Sequence, residues 1–385
     1  MKRKRLWAVI LAVALLAGIG LAGCEAGPAP TPTPTQPPSR LTWLHGFYAG
    51  SSYGQIHLAQ DMDAVSLGWG QLYVTEAGEP YVNSAYTQGN SWVIPQSAHL
   101  ATDRFDELAI PYNLCVYATA GQSFGETNVL EYAISAGVRQ ETARALARAA
   151  ADYSGLTVDF EGLASLSRRE DFTAFMALVR QELRADQLLY VAVPPRTWYK
   201  GYDYRALGEI CDKVILMAHD YQWTRAPEEN LGSALTDTPV APIAAVEEAL
   251  KQITDPETGV EDLSKVALAI AFASAGVAVD EEGLLLDTRV YAPAPDTLAR
   301  RLAQADAELG WSEAYASPYV YYHDEDGVRY RVWYEDRQSV AAKVELALQY
   351  GVTGLSLWRL GTVPDFDNYD VWPAVHQARW GETGS

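Results

Sequence analysis

Cysteine is scarce in this chain, with three among 385 residues, and they stand at positions 24, 115 and 211. That number and spacing exclude a disulfide framework and a zinc knuckle. Cys115 and Cys211 fall in segments that read as a buried strand and the end of a helix, so two separate buried thiols are expected rather than a pair. The six histidines form no metal-ligand spacing, and neither a metal nor any other cofactor is expected. Positive charge is also short: 29 Lys plus Arg stand against 49 Asp plus Glu, a formal net charge of −20. Such a surface argues against nucleic acid as a partner and against electrostatic adhesion to anionic lipid.

Long apolar runs are confined to the beginning. Met1-Lys2-Arg3-Lys4-Arg5 precedes an apolar stretch over 6–21, which ends in Leu21-Ala22-Gly23-Cys24. A basic start, a short apolar core and small residues at its end describe an export signal, and the run is short for a permanent membrane span. The Leu-Ala-Gly-Cys tetrapeptide resembles the bacterial lipobox. That resemblance implies a signal peptide over 1–23, lipidation of the Cys24 thiol, and a mature lipoprotein tethered to a membrane surface outside the cytoplasm. Losing 1–23 removes four basic residues and no acidic one, so the mature chain is more negative still. Residues 24–39 are too rich in Pro and Thr to pack a core and form an extended spacer.

From residue 40 onward, short apolar β-like runs alternate with amphipathic helical stretches. The strands are expected at 42–48, 64–69, 112–117, 156–160, 188–193, 213–218, 266–272 and 354–358. Helical spacing covers 140–153, 169–184, 204–211, 243–253 and 339–350, with Asp336 or Ser339 as the cap of the last. Eight strands in such alternation predict a (β/α)8 TIM barrel over 40–385. The turn-rich segment 71–98 is expected as a hairpin excursion. Residues 274–337 hold β-like runs at 283–291, 316–323 and 328–334 around a helix at 296–309, which reads as a small α+β insertion between the seventh strand and the last helix.

Three expected strand ends are chemically loaded, and functional side chains of such barrels project from the C-terminal strand ends. The fourth runs Gly155-Leu156-Thr157-Val158-Asp159-Phe160-Glu161-Gly162. Alternation puts Thr157, Asp159 and Glu161 on one face, so two carboxylates enter one small volume. Neighbouring like charges disfavour joint ionisation, and one member holds a proton near neutral pH, the starting condition for protonating a leaving group. The sixth strand end reads Met217-Ala218-His219-Asp220-Tyr221, and the eighth reads Gly354-Leu355-Ser356-Leu357-Trp358.

This ordered set resembles glycoside hydrolase family 18, the chitinase-like barrels that include bacterial spore and cell-wall enzymes. The family's Asp-x-x-Asp-x-Asp-x-Glu motif is matched by Ser154, Thr157, Asp159 and Glu161, its Met-x-Tyr-Asp by Met217, His219 and Asp220, and its eighth-strand tryptophan by Trp358. The resemblance spans 40 to about 375 and includes the insertion. It implies retaining hydrolysis of β-linked N-acetylglucosamine-containing glycan, with the substrate's own acetamido oxygen as nucleophile. Glu161 is then the general acid and base, Asp159 its electrostatic partner, and Asp220 the group that orients the acetamide or a hydroxyl. His219 is either a donor to the substrate or a histidine satisfied by local hydrogen bonds. Trp358 forms the platform under the sugar, and Met217 lies beside it. Tyr48, Tyr117 and Tyr221 join as substrate-binding candidates, with Arg196, Trp198, Tyr199, Gln222 and Trp223 behind them. Peptidoglycan and chitin-like oligosaccharides are the partners implied.

Ser154 and Thr157 depart from the family pattern by removing two carboxyls, the inner one directly beneath Asp159. A glycan-binding or scaffold lipoprotein on the same barrel is therefore the competing reading. Trp69, Trp311 and Trp333 carry no expectation beyond core packing or a peripheral sugar contact.

Overall fold

A computed structural model describes residues 40–50, 52–86 and 90–381; the leader over 1–23, Cys24 and the spacer lie outside the described residues. Eight mutually parallel strands form the sheet: Trp43–Tyr48, Ala64–Val74, Tyr112–Thr119, Gly155–Glu161, Leu188–Val193, Lys213–Leu216, Val266–Ala271 and Gly354–Trp358. The first pairs with both the second and the eighth, which closes the barrel. These are the eight predicted runs, with two instructive differences at their ends. The second continues to Val74 because Gln71–Val74 pairs antiparallel with Pro80–Asn83, which makes the excursion a hairpin. The sixth stops at Leu216, so Met217 to Asp220 form irregular chain at the barrel mouth.

Alternation sorts each strand between two environments. On the fourth, Leu156, Val158 and Phe160 are fully buried against the surrounding helices, where Phe160 stacks on Phe175 with ring centroids 5.5 Å apart. The opposite parity fills the barrel interior with Trp43, Phe47, Cys115, Tyr190, Ile215, Ala267 and Ala269. Cys115 and Cys211 are separate, reduced and buried. Side-chain caps start some of the helices that follow the strands: Asp203 accepts from the Ala206 amide, and Asp336 and Ser339 cap Arg337–Gln349 reciprocally.

The insertion is a five-stranded antiparallel sheet in the order Leu285–Tyr291, Ala275–Val279, Arg329–Trp333, Ser317–His323, Glu308–Ser312, with one helix at Pro295–Leu302. The expected helix over 296–309 thus ends early, and its tail becomes a strand. Gly310 is the reason: it faces Tyr319 across the hairpin, and a side chain there would collide with the Tyr319 ring at 2.3 Å. Cross-strand packing outweighs the helical spacing of the residues before it.

Candidate active site

The fourth strand delivers its two acids to the barrel mouth and stops there. Gly162 follows Glu161 with φ +99, a backbone that turns the chain sharply and leaves no room for a side chain against Ala120. Asp159 is 2% exposed, while Glu161 is partly open to the cleft. Burial first, and then the adjacent Glu161 carboxylate, push the Asp159 carboxyl well above the ordinary range. Burial also raises Glu161, with Asp220 adding to the rise and His219 opposing it. The two carboxyls lie within hydrogen-bonding reach of each other. Such a pair holds a proton at the cleft floor.

Across the mouth, His219 is 6% exposed, and its Nδ1 stands 2.8 Å from Asp220 Oδ2. Burial opposes ionisation of Asp220, but hydrogen bonds and charge from His219, with Gln222, hold its carboxyl below the usual value. The two carboxyls across the mouth are thus biased oppositely, Asp220 toward the anion and Glu161 toward the protonated form. Asp220 sits at φ +65, a left-handed backbone for a residue other than glycine. His219 has the local partner that a histidine satisfied by its surroundings requires, and it also lines the cavity that Glu161 faces.

Beneath Asp159 runs a ladder of uncharged groups. Ser356 Oγ meets His45 Nδ1 at 2.8 Å, His45 Nε2 meets Ser66 Oγ at 2.8 Å, and Ser66 Oγ meets Thr157 Oγ1 at 2.6 Å. Asn113 Nδ2 then donates to Thr157 Oγ1 at 3.4 Å. Every member is buried. Burial, with a smaller push from Lys213, lowers His45 to about 3, so the imidazole is neutral. Thr157 is thus bonded into this layer through Ser66 and Asn113, while Asn113 Oδ1 has no protein partner among the described residues. Ser154 lies at the other end of the strand, its hydroxyl accepting from the Tyr112 amide at the start of the neighbouring third strand.

Two cavities open among the ends of the barrel strands, and Glu161 lines one of them. One, of about 400 Å³, is lined by Glu161, Trp198, Tyr199, Met217, His219, Asp220, Tyr221 and Gln222. The other, of about 390 Å³, opens beside Trp358 and is walled by Phe47, Trp92 and Arg359. The structure brings Glu161, His219, Asp220, Tyr221 and Met217 to one hollow, with Trp198 packed on Tyr221 at 4.4 Å. Tyr117 stacks flat on Trp92 at 4.7 Å, and Trp92 lies 6.1 Å from Trp358.

Other candidates are placed elsewhere. Tyr48 has the outward parity of its strand, and its ring packs edge-on against Trp69 and Phe105 in the helix layer, so only its strand-end position touches the cavity. Arg196 is spent on Tyr202 and Thr258 and lies over the Tyr204 ring. Trp223 packs against the insertion. Trp92 escaped the sequence reading because a turn-rich segment has no period from which to read a face. The usable signal was topological: an excursion leaving the C-terminal end of the second strand returns across the barrel mouth. Among the described residues, no cluster of three His, Cys, Asp or Glu side chains is placed to hold a metal.

Residues 131–362 match the glycosyl hydrolases family 18. A Bacillus subtilis protein named as a sporulation-specific glycosylase is 28% identical over 214 residues, which are 54% of this chain and 47% of that one. The cortical fragment-lytic enzyme of Bacillus anthracis is 26% identical over 53% of this chain and 45% of its own length. The chain therefore spans about half the length of these relatives. Among solved structures, a chitinase from Chromobacterium violaceum superposes with a TM-score of 0.67 at 22% identity, covering 87% of this chain and 98% of that one. The spore cortex-lytic enzyme SleL of Bacillus cereus gives 0.65 at 16% identity, over 89% and 75%.

Proposed function

The chain belongs to the glycosyl hydrolases of family 18, and from that premise we propose that it is a glycosidase cleaving β-linked N-acetylglucosamine-containing glycan, peptidoglycan or chitin-like, by substrate-assisted retaining hydrolysis. The observation that carries this reading is the carboxyl pair Asp159 and Glu161 at the end of the fourth strand, where both carboxyls are raised and Glu161 lines an aromatic-walled hollow with Asp220. Glu161 gives its proton to the glycosidic oxygen as the C–O bond breaks. The acetamido carbonyl oxygen closes on the anomeric carbon, forming a cyclic oxazolinium ion whose charge the Asp159 carboxylate offsets. Glu161, now a carboxylate, takes a proton from the water that opens the ring, and configuration is retained. Asp220, kept anionic by His219, orients the acetamide; Trp358 supplies the apolar floor.

The relatives' names point to sporulation glycan and spore cortex, which favours peptidoglycan over chitin as the polymer met in the cell. The motif at 21–24 supports an exported, membrane-tethered enzyme anchored through Cys24. In fractionated cells, Cys24→Ser should move the protein from membrane to soluble fractions, and unchanged membrane recovery would remove the anchor.

Glu161→Gln decides between catalysis and the scaffold reading. Purified protein incubated with N-acetylglucosamine oligomers and with sacculi, followed by mass spectrometry, should yield new reducing ends only with the wild type. Binding measured by tryptophan fluorescence should survive the substitution. Wild-type binding without new reducing ends would favour the scaffold.

A further inference from the structure

We infer that Asp237 is a positioning residue for this cleft: its buried carboxylate fastens the loop after the sixth barrel strand to the insertion sheet, and that attachment fixes the backbone at Asp220. The inference rests on the proposed reading of Asp220 and His219 as working groups. It starts from the left-handed conformation of Asp220, which an aspartate tolerates better than most residues when its side chain bonds locally, as here to His219, and which its surroundings then fix.

Those surroundings run directly to Asp237. The Tyr221 amide donates to the Val240 carbonyl at 3.0 Å, and the Thr238 hydroxyl donates to the Tyr221 carbonyl at 3.0 Å. Both peptide groups flanking Tyr221 are thus held by Thr238 and Val240, one and three residues beyond Asp237. The Tyr221 hydroxyl adds a bond to the Ala245 carbonyl at 3.3 Å. Asp237 is 7% exposed; it accepts from the Arg331 guanidinium and, at 3.1 Å, from Trp333 Nε1. Arg331 is itself buried and lies 4.5 Å over the Trp333 ring. Both partners belong to the insertion strand Arg329–Trp333, at the sheet's centre.

Weaker links tie the intervening chain to the same sheet. Ala226 donates to the Thr288 carbonyl and Gly232 to the Leu285 carbonyl, both at 2.8 Å, and Ala226 packs with Val277, Val279 and Leu285. These contacts hold residues 223–235, and Val240, which takes the Tyr221 amide, packs in turn against Ala275 and Val290 of the insertion. The Asp237 pair is the buried charged link among them, and it lies next to Thr238. A buried charge pair fixes register because any slippage leaves an uncompensated charge. The insertion therefore contributes to the cleft without placing a side chain against Glu161.

The test combines amide hydrogen exchange with kinetics on the full chain carrying Asp237→Asn. Exchange in peptides covering 219–222 should rise about tenfold. On N-acetylglucosamine oligomers kcat should fall about 10- to 100-fold, with KM within about threefold, as expected for misplaced catalytic groups. Val344→Ala, a core truncation in the helix before the eighth strand, serves as the comparator at a melting temperature lowered by a similar amount, and should change neither. Trp333→Phe keeps the Arg331 pair while removing the indole N–H bond and trimming the ring beneath Arg331; it should shift both readouts the same way by less, which covers a failure of Asp237→Asn to fold. Unchanged exchange at 219–222, or equal kcat losses in Asp237→Asn and Val344→Ala, would overturn the inference. If the wild type cleaves no glycan, the glycosidase reading fails by itself, and the exchange data alone decide whether Asp237 holds the loop.

Discussion

Replacing Asp159 with Asn should make the protein inactive and more stable, with the stability gain growing as pH rises. Asp159 is 2% exposed, and among the described residues its Oδ1 finds no hydrogen-bond partner. Its carboxyl is raised by burial and by Glu161. The folded state therefore disfavours the ionised form relative to the unfolded chain. Below the unfolded carboxylate value of about 4, Asp159 is protonated in both states and the penalty vanishes. Between that value and the raised folded one, the unfolded chain releases a proton that the folded chain keeps, and wild-type stability falls as pH rises. Above the folded value the penalty is complete. Asn has the same shape without the ionisation, so it removes the penalty where it exists and changes little at pH 4. Asn keeps the unpaired oxygen but not its charge, and the extra cost of burying the charged over the neutral group is about 1–3 kcal/mol. With an unfolding entropy of about 2 cal/mol/K per residue, each kcal/mol in a domain of this size corresponds to about 1.5 °C. The expected gain is about 2–4 °C at pH 8 and close to zero at pH 4, read by differential scanning calorimetry. Hydrolysis should fall by about 10²- to 10³-fold, because the oxazolinium ion loses its counter-charge. A gain independent of pH, or a loss at pH 8, would refute the argument that burial and the neighbouring acid strain Asp159.

Two further substitutions probe the layers below and beside the acids. His45→Phe should destabilise by several kcal/mol, since the Ser66 and Ser356 hydroxyls lose a buried partner at about 1–3 kcal/mol each. Because His45 is lowered from 6.5 to about 3, the unfolded chain gains a proton between those values that the folded chain refuses. Wild-type stability should therefore drop on acidification through that window at up to about 1.4 kcal/mol per pH unit; urea titrations at pH 7 and 4.5 should show the drop in the wild type and a smaller one in the variant, whereas equal slopes would mean that His45 is not held neutral. Trp92→Ala should raise KM for N-acetylglucosamine oligomers about 3- to 10-fold with kcat within twofold, the loss of a stacking surface of about 0.5–1.5 kcal/mol. An unchanged KM would place Trp92 off the substrate's path.

The eight barrel strands were legible because each carries an apolar run bounded by turn residues, and the helices between them carry the three- and four-residue spacing that burial against a sheet requires. The floor of the cleft was legible because strand alternation alone puts Asp159 and Glu161 on one face. What was missed depends on contacts between distant segments. The strand Glu308–Ser312 exists because Tyr319 packs over Gly310, a partner that no local pattern reveals. Tyr48 was expected at the cleft by its nearness to a strand end, but it shares parity with Leu44, and both belong to the helix-facing core. The Asp237 and Arg331 pair joins residues 94 positions apart. Its members look like surface charges when read one at a time.

The uncharged ladder under Asp159 also bears on the step before chemistry. With no carboxylate in the layer directly below, the fields acting on the acid pair come from the mouth side, where water and Asp220 are. A sugar ring settling against Trp358 expels that water, and the loss of solvation lifts the Glu161 carboxyl further above its resting value. Glycan binding is therefore coupled to proton uptake: calorimetric titrations near the Glu161 pKa in buffers of different ionisation enthalpy should show a proton entering with the ligand. The substrate itself charges the enzyme with the proton that it will spend.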